Sequence, residues 1–109
     1  MDLIQITDQY FVFGQIQASD VATIKAMGFG TIICNRPDGE APGQPTAKEI
    51  GATVEAEGMK FFYVPFAPNN PAPTMLEDFC VAMEQAEGKV LAYCRTGNRS
   101  SQLYNRTQL

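Results

Sequence analysis

The sequence predicts a three-layer α/β fold in which a mainly parallel central sheet is flanked by helices. Strand and helix patterns alternate from Thr31 onward, which is the order of βαβ units. Of the 109 residues, 45% are apolar, which is enough for the core of one globular domain spanning residues 1–109. No apolar run approaches the about 20 residues that a membrane span needs. In such a sheet, ligands bind at the carboxyl ends of the strands.

The N-terminal segment carries two short strand patterns and a first helix. Residues 3–7 and 10–13 read as strands near a turn, which favours a hairpin. Ser19 is the expected N-cap of a helix that Gly28 ends. The apolar face of this helix is expected to carry Val21, Ile24 and Met27.

The middle of the chain reads as a buried strand, a loop and a second helix. Residues 31–34 are β-branched and apolar, and residues 35–45 are rich in Pro and Gly. Thr46 and Glu49 form a capping-box pattern that opens a helix ending at Gly58. Ile50 and Val54 lie on its apolar face.

A strand, a proline-rich loop and a third helix follow. Residues 60–64 predict a strand whose Phe61, Phe62 and Tyr63 belong to the core, and residues 65–73 predict an irregular loop. Thr74 and Glu77 repeat the capping-box pattern. The spacing i, i+3, i+4, i+7 predicts a buried helical stripe of Leu76, Phe79, Cys80 and Met83.

The last strand pattern delivers a cysteine to the start of a helix. Residues 90–93 are apolar, Cys94 follows, Gly97 turns the chain, and a helix is expected from about Ser100. The N–H groups of such a loop and of the first helical turn form an anion cradle around the sulfur. Thiolates are favoured at helix N-termini and beside arginine, so the candidate anion-binding loop comprises Arg95, Thr96, Gly97, Asn98, Arg99 and Ser100.

The composition restricts how this cysteine can act. The chain has no histidine, which excludes Cys-His and Ser-His-Asp catalysis and makes a metal site unexpected. The formal net charge is −4 with 8 Lys plus Arg, so a nucleic-acid partner is not expected. Any activation of Cys94 must come from the backbone cradle and from nearby arginines. These are Arg95, Arg99 and Arg36, the last at the end of the neighbouring strand.

The cysteine loop resembles the active-site loop of rhodaneses, and almost the whole chain resembles the DUF442 family, also called the β-lactamase hydrolase-like phosphatase or sulfurtransferase domain. The segments that carry the resemblance are Ile4-Gln-Ile-Thr7, Gly14-Gln-Ile16, Ile32-Ile-Cys-Asn-Arg-Pro-Asp-Gly-Glu40, Pro42-Gly-Gln-Pro45 and Ala92-Tyr-Cys-Arg-Thr-Gly-Asn-Arg-Ser-Ser101. The resemblance implies a dual-specificity-phosphatase-like or rhodanese-like fold. It implies that Cys94 takes a sulfane sulfur as a persulfide and passes it to a thiol acceptor, with Arg99 as the second catalytic residue.

Two departures distinguish this loop from tyrosine-phosphatase-like enzymes. Four residues separate Cys94 from Arg99, where those phosphatases have five. The stretch 66–71, which corresponds to their general-acid loop, holds asparagines and no carboxylate. Asp38 and Glu40 lie on another loop that nothing in the sequence brings within reach. Sulfur transfer is therefore the main expectation, and a cysteine-dependent phosphatase and a non-catalytic anion- or persulfide-binding module are the alternatives.

The remaining candidate residues have simpler interpretations. Cys34, which ends a strand beside the site, is expected in the core, with a disulfide to Cys94 or a resolving role as alternatives. Arg36 and Asp38 either form an ion pair on the pocket wall or are solvated. Cys80 is expected in the core. Asp20 is expected to do no more than complement a helix dipole.

The expected setting and partners follow from composition and resemblance together. Three cysteines at long spacings, an acidic start and no membrane span favour the cytoplasm. We expect no cofactor or metal. The expected partners are a small sulfur-containing anion or persulfide and a thiol acceptor. The resemblance adds a persulfide dioxygenase, to which some relatives are fused. It also implies that relatives continue beyond Leu109, so either the last helix is truncated here or a partner or second copy supplies the missing packing.

Overall fold

The computed structural model describes residues 1–108, which form a five-stranded sheet in the order β1-β2-β5-β3-β4. The strands are β1 Ile4–Gln5, β2 Tyr10–Phe13, β3 Phe29–Cys34, β4 Lys60–Tyr63 and β5 Lys89–Tyr93. β1 pairs with β2 in an antiparallel hairpin, and all other neighbours are parallel. The mainly parallel sheet and the N-terminal hairpin are as predicted.

Helices cover both faces of the sheet. They are α1 Val21–Ala26, preceded by a short 3₁₀ turn at Ala18–Asp20, α2 Ala47–Ala56, α3 Met75–Gln85 and α4 Asn98–Thr107. One core cluster joins α1 and α2 to the sheet through residues such as Ile24, Ile50 and Leu91. The other joins α3 and α4 through Phe79, Leu103 and Val12. The predicted three-layer α/β class is confirmed.

The beginning of α1 differs from the prediction. Ser19 lies inside the 3₁₀ turn and is not an N-cap, while the carboxylate of Asp20 accepts a hydrogen bond from the Gln17 N–H at 2.8 Å. Asp20 thus ties the turn together in addition to lying near a helix start. Val21 and Ile24 are buried, but Met27 is 41% exposed because it follows the last turn of this short helix.

The two predicted capping boxes have different outcomes. The Thr46 hydroxyl accepts from the Glu49 N–H at 3.1 Å, so the cap of α2 is confirmed. At α3 the Thr74 hydroxyl instead donates to the Asp78 carboxylate at 3.0 Å, and no capping bond to the backbone forms. The Thr74–Glu77 box is therefore wrong.

The buried face of α3 was also predicted wrongly. The helix packs through Met75, Phe79 and Ala82, whereas Leu76 is 40% exposed and Cys80 is exposed. Phe79 belongs to both possible stripes, so the apolar spacing fits two faces about 100° apart. Met75 lies in the same core cluster as Val64 and Phe66, and that packing selects the other face.

The strand β4 lies at an edge of the sheet, which explains a further difference. Phe61 and Phe62 are half-buried and Tyr63 is 42% exposed, although all three were expected in the core. An edge strand is covered by neighbours on fewer sides than a central one. No described helix has the length and apolar character to cross a membrane.

Candidate active site

A cavity of about 650 Å³ opens at the carboxyl edge of the sheet, beside Cys94. It is lined by residues from three segments, namely Glu40; Phe66, Pro68 and Pro71; and Arg95, Thr96, Asn98, Arg99, Gln102 and Arg106. Cys94 directly follows the central strand β5 and is fully buried. The parallel strands therefore bring the predicted loop to the edge where ligands bind in such folds.

The cysteine loop wraps around the sulfur as the sequence predicted. The Gly97 N–H donates to Cys94 Sγ at 3.0 Å. Burial disfavours the charged thiolate, but main-chain N–H groups outweigh it and lower the pKa of Cys94 below its ordinary value. These N–H groups belong to Ser100, Thr96, Gly97 and Arg99. Helix α4 begins at Asn98, slightly earlier than expected, so its first turn takes part in the cradle.

Two glycines allow the loop to close. Gly97 has φ of +93°, in the left-handed region, and directly precedes α4. A Cβ on Gly14, just after β2, would lie 2.9 Å from the Arg95 carbonyl oxygen. The cysteine loop therefore packs directly against the main chain of Gly14, where a side chain would not fit.

The Arg99 side chain is held by a carboxylate from a distant loop. Its Nη1 donates to Glu40 Oε2 and its Nη2 to Glu40 Oε1, both at 2.7 Å. Nη1 also donates to the Phe66 carbonyl at 2.9 Å. Hydrogen bonding to Arg99 lowers the pKa of Glu40, and the same contact raises the pKa of Arg99. Glu40 thus lies within reach of the site and is ionised there.

Arg36, which was expected to add positive charge beside Cys94, instead joins this network from just after β3. Its Nε donates to Glu40 Oε1 at 3.1 Å, and its Nη1 donates to Gln15 Oε1 at 3.0 Å. The predicted Arg36–Asp38 pair is wrong. Asp38 Oδ1 instead accepts from the Ala47 N–H at 2.8 Å, at the start of α2, where four main-chain N–H groups need acceptors.

A buried network of polar side chains holds the cysteine loop on its interior side, and no pattern in the sequence predicted it. The Ser100 hydroxyl donates to Asn35 Oδ1 at 2.8 Å, and Asn35 Nδ2 donates to the Val64 carbonyl at 2.9 Å. The Tyr10 hydroxyl donates to the Ser100 carbonyl at 2.9 Å. These bonds connect the first turn of α4 to β2, to the residue that follows β3 and to the chain after β4.

The other two cysteines do not behave as site thiols. Cys34 is a free, buried thiol whose Sγ donates to the Arg36 carbonyl at 3.3 Å. Burial raises its pKa to about 11, so it stays protonated near neutrality, and it packs in the core as expected. Cys80 is free and exposed, which corrects its predicted core position.

The remaining loop residues line the cavity mouth. The side chains of Arg95, Thr96 and Asn98 are exposed. Arg106, which sequence reasoning missed, lies two turns beyond Arg99 on α4 with its guanidinium 5.3 Å from the Phe66 ring. The mouth is therefore cationic, with Glu40 the one carboxylate among the described lining residues. Within residues 1–108, no group of three or more His, Cys, Asp or Glu side chains is placed to hold a metal.

Sequence comparison relates nearly the whole chain to one family. The profile described as "Beta-lactamase hydrolase-like protein, phosphatase-like domain" matches residues 2–109. Over 104 residues the chain is 34% identical to the β-lactamase hydrolase-like protein of Agrobacterium fabrum and 29% identical to that of Xylella fastidiosa strain Temecula1. Each match covers 95% of this chain but only 24% of the relative, so the chain spans about a quarter of these curated proteins.

Solved structures with the same architecture carry a similar description. A proposed phosphatase from Neisseria meningitidis matches with a TM-score of 0.86 and 34% identity, covering 99% of this chain and 77% of that one. A proposed phosphatase of the DUF442 group from Shewanella putrefaciens matches with a TM-score of 0.83 and 29% identity, covering 98% and 67%. The fold is therefore phosphatase-like over the length described.

Proposed function

The chain belongs to the β-lactamase hydrolase-like, phosphatase-like domain family (DUF442), and within that family we propose that it is a sulfurtransferase whose Cys94 carries a sulfane sulfur as a persulfide. The proposal rests on one observation. Main-chain N–H groups converge on Cys94 Sγ and favour its thiolate, while Glu40, the one carboxyl group among the described lining residues of the cavity, is held in its ionised form.

The leaving group decides between sulfur and phosphate transfer. An alkoxide leaving a phosphate ester needs a proton from a general acid. Glu40 cannot supply it near neutrality because two guanidinium groups hold it ionised. A thiolate or sulfite leaves without a proton, since both are much weaker bases than an alkoxide. The site is thus suited to breaking a sulfur–sulfur bond.

The proposed reaction has two balanced displacements. The Cys94 thiolate attacks the outer sulfur of a persulfide, R–S–SH, forming a new S–S bond while the old one breaks and R–S⁻ departs with its electron pair. Thiosulfate would react in the same way and release sulfite. An acceptor thiolate then attacks the outer sulfur of the Cys94 persulfide and regenerates the Cys94 thiolate. The cradle stabilises the anionic sulfur at each stage.

A cysteine-dependent phosphatase is the second candidate, and the descriptions of the related proteins favour it. The family profile and the structural relatives are all described in phosphatase terms. The cationic mouth of the cavity and the N–H cradle would also hold a phosphoryl group. Aryl phosphates with acidic phenols need little protonation of the leaving group, so they are the fitting probes for this activity.

Intact-protein mass spectrometry tests the proposal. The protein is incubated with glutathione persulfide and, separately, with thiosulfate, in a Cys80→Ser background because Cys80 is exposed and would also react. We expect a gain of one sulfur mass from at least one of the two donors, and a thiol or cyanide should remove it. The same background with Cys94→Ser should gain nothing.

Other results of these assays would support one of the alternative functions. No sulfur gain with either donor, together with Cys94-dependent hydrolysis of an aryl phosphate, would overturn sulfur transfer in favour of the phosphatase. Anion binding with neither activity would indicate a binding module. A sulfur gain that survives in the Cys94→Ser protein would assign the chemistry to another residue.

A further inference from the structure

The guanidinium of Arg99 is already occupied by a carboxylate of the chain itself. Both of its terminal nitrogens donate to Glu40 at 2.7 Å, a two-point pairing in which the carboxylate takes the place of two oxygens of a tetrahedral anion. A phosphate or sulfonate group entering the cavity would need these same donors. Glu40 therefore competes directly with any such ligand.

Several contacts hold Glu40 in this position. Its Oε1 also accepts from Arg36, whose own side chain is 6% exposed and is fixed by Gln15. Its main-chain N–H donates to Gln44 Oε1 at 3.1 Å, and Gln44 Nε2 donates to the Pro37 carbonyl at 2.9 Å. The carboxylate is thus a built part of the site, with only 23% of its side chain exposed.

The charge at the cavity floor follows from this arrangement. One carboxylate is shared by Arg36 and Arg99, and the Cys94 thiolate lies beside Arg99, whose pKa its charge also raises. When Cys94 is ionised, these two cations face two anions before any ligand binds. A dianionic ligand would add two more negative charges and would meet a nearly neutral floor.

We propose that Glu40 is a specificity-determining residue that excludes tetrahedral dianions, so that the donor is the persulfide of a thiol rather than thiosulfate or a phosphate monoester. This deepens the proposed function and rests on it for the sulfur chemistry. The outer sulfur of a persulfide carries no oxygen atoms that would need the paired N–H donors of a guanidinium group. The main-chain N–H groups around Cys94 can bind it alone. Glu40 leaves that cradle free.

Binding of inorganic phosphate tests the inference without any turnover. Calorimetric titration compares the wild-type protein, Glu40→Gln, and Glu84→Gln as a control that removes the same charge from an exposed position on α3. We expect Glu40→Gln to bind phosphate about tenfold tighter or more, because the two N–H donors of Arg99 no longer bind a charged carboxylate. The control should bind like the wild type.

Loading rates then separate the donor classes. Glu40→Gln should raise the ratio of the rate of persulfide formation from thiosulfate to the rate from glutathione persulfide by about tenfold, because only thiosulfate needs the freed donors of Arg99. The Glu84→Gln control should keep the ratio of the wild type. Unchanged or weaker phosphate binding would overturn the role of Glu40. If Glu40→Gln does not melt cooperatively, Glu40→Asp replaces it, because its shorter carboxylate cannot span both nitrogens, and a smaller gain in phosphate affinity is expected.

The two proposals fail in different ways. If Glu40→Gln gains phosphate affinity but the wild type accepts no sulfur from any donor, the sulfurtransferase proposal falls and the control of anions by Glu40 stands. If the wild type accepts sulfur but Glu40→Gln does not change the phosphate affinity, the sulfurtransferase proposal stands and the role of Glu40 falls.

Discussion

Cys94 depends on main-chain groups rather than on a side-chain base. The chain has no histidine, and the groups that favour the Cys94 thiolate are N–H donors of its own loop and of the first turn of α4. Such donors are fixed by the backbone, so they cost no reorganisation when charge develops on the sulfur. The reactivity of the thiol therefore depends on the conformation of a few loop residues.

Replacing Gly97 with Ala should disturb both the fold and the thiol. A Cβ at a φ of +93° is strained by roughly 1–2 kcal/mol, and it would lie 3.4 Å from the Phe13 main-chain nitrogen. We expect a similar loss in the free energy of unfolding and a slower reaction of Cys94 with iodoacetamide near neutral pH. Denaturant titration and alkylation followed by peptide mapping measure the two effects.

The matched control is Gly58→Ala at the end of α2. Gly58 also has a positive φ, +78°, but a Cβ there meets nothing within 4 Å. It should lose stability through strain alone and keep the alkylation rate of the wild type. Equal slowing in both variants would mean that the Gly97 loop does not set the reactivity of Cys94.

The site residues that could be predicted are those that are contiguous in the sequence. The cradle was predictable because its cysteine, glycine and helix start lie within one short segment. The Glu40–Arg99 and Asn35–Ser100 contacts join residues 59 and 65 positions apart, and no local pattern encodes them. The adjacency of β3 and β5 creates both, and a single sequence does not reveal strand order.

Helix α3 shows how an element can be identified correctly and oriented wrongly. Its length and apolar spacing predicted a helix, and the structure has one at Met75–Gln85. Its sequence is apolar on two overlapping faces, so periodicity could not select between them. Contact with the second core cluster selects the face of Met75 and Phe79, and the face of Leu76 and Cys80 stays outside.

Two alanine substitutions on α3 test this orientation. Phe79 is fully buried, and Phe79→Ala should lower the free energy of unfolding by about 3–5 kcal/mol. Leu76 is 40% exposed, and Leu76→Ala should cost less than about 1 kcal/mol because little area is lost from the core. Denaturant unfolding of both variants gives the values, and similar losses would contradict the assigned face.

At the scale of the whole molecule, ionisation of Cys94 couples the site to stability. Its folded-state pKa lies below its ordinary value of 9.0, so below that value the unfolded chain binds more protons at this thiol than the folded one. The thiol therefore contributes stability that rises as pH increases from the folded pKa towards 9 and is lost as pH falls through the folded pKa. Cys34 acts in the opposite sense only above pH 9, because burial raises its pKa to about 11.

Comparing wild type with Cys94→Ser isolates this contribution. As the pH rises towards 9, the unfolding free energy of the wild type should rise relative to that of the variant, since the serine hydroxyl does not titrate there. Urea denaturation at several pH values gives both curves. Parallel curves would contradict a lowered thiol pKa in the folded protein.

The general architecture followed from the alternation of strand and helix patterns, but the order of the strands did not. Residues 29–34, 60–63 and 89–93 are each apolar enough to read as strands. Nothing in their own residues shows that the last of them, β5, inserts between β2 and β3. That placement depends on packing energies summed over both core clusters.

The position of β5 has a consequence for how the chain is made. β5 pairs with β2 on one side and β3 on the other, and it is the last of the five described strands in chain order. Until Lys89–Tyr93 emerges from the ribosome, the hairpin of β1 and β2 and the pair formed by β3 and β4 have no strand to join them. Apolar edges such as Phe29–Cys34 stay open until then, and open apolar edges expose a nascent chain to aggregation and to chaperones. The strand that leads into Cys94 is therefore also the one that joins the two parts of the described sheet, so the candidate site assembles only when this sheet does.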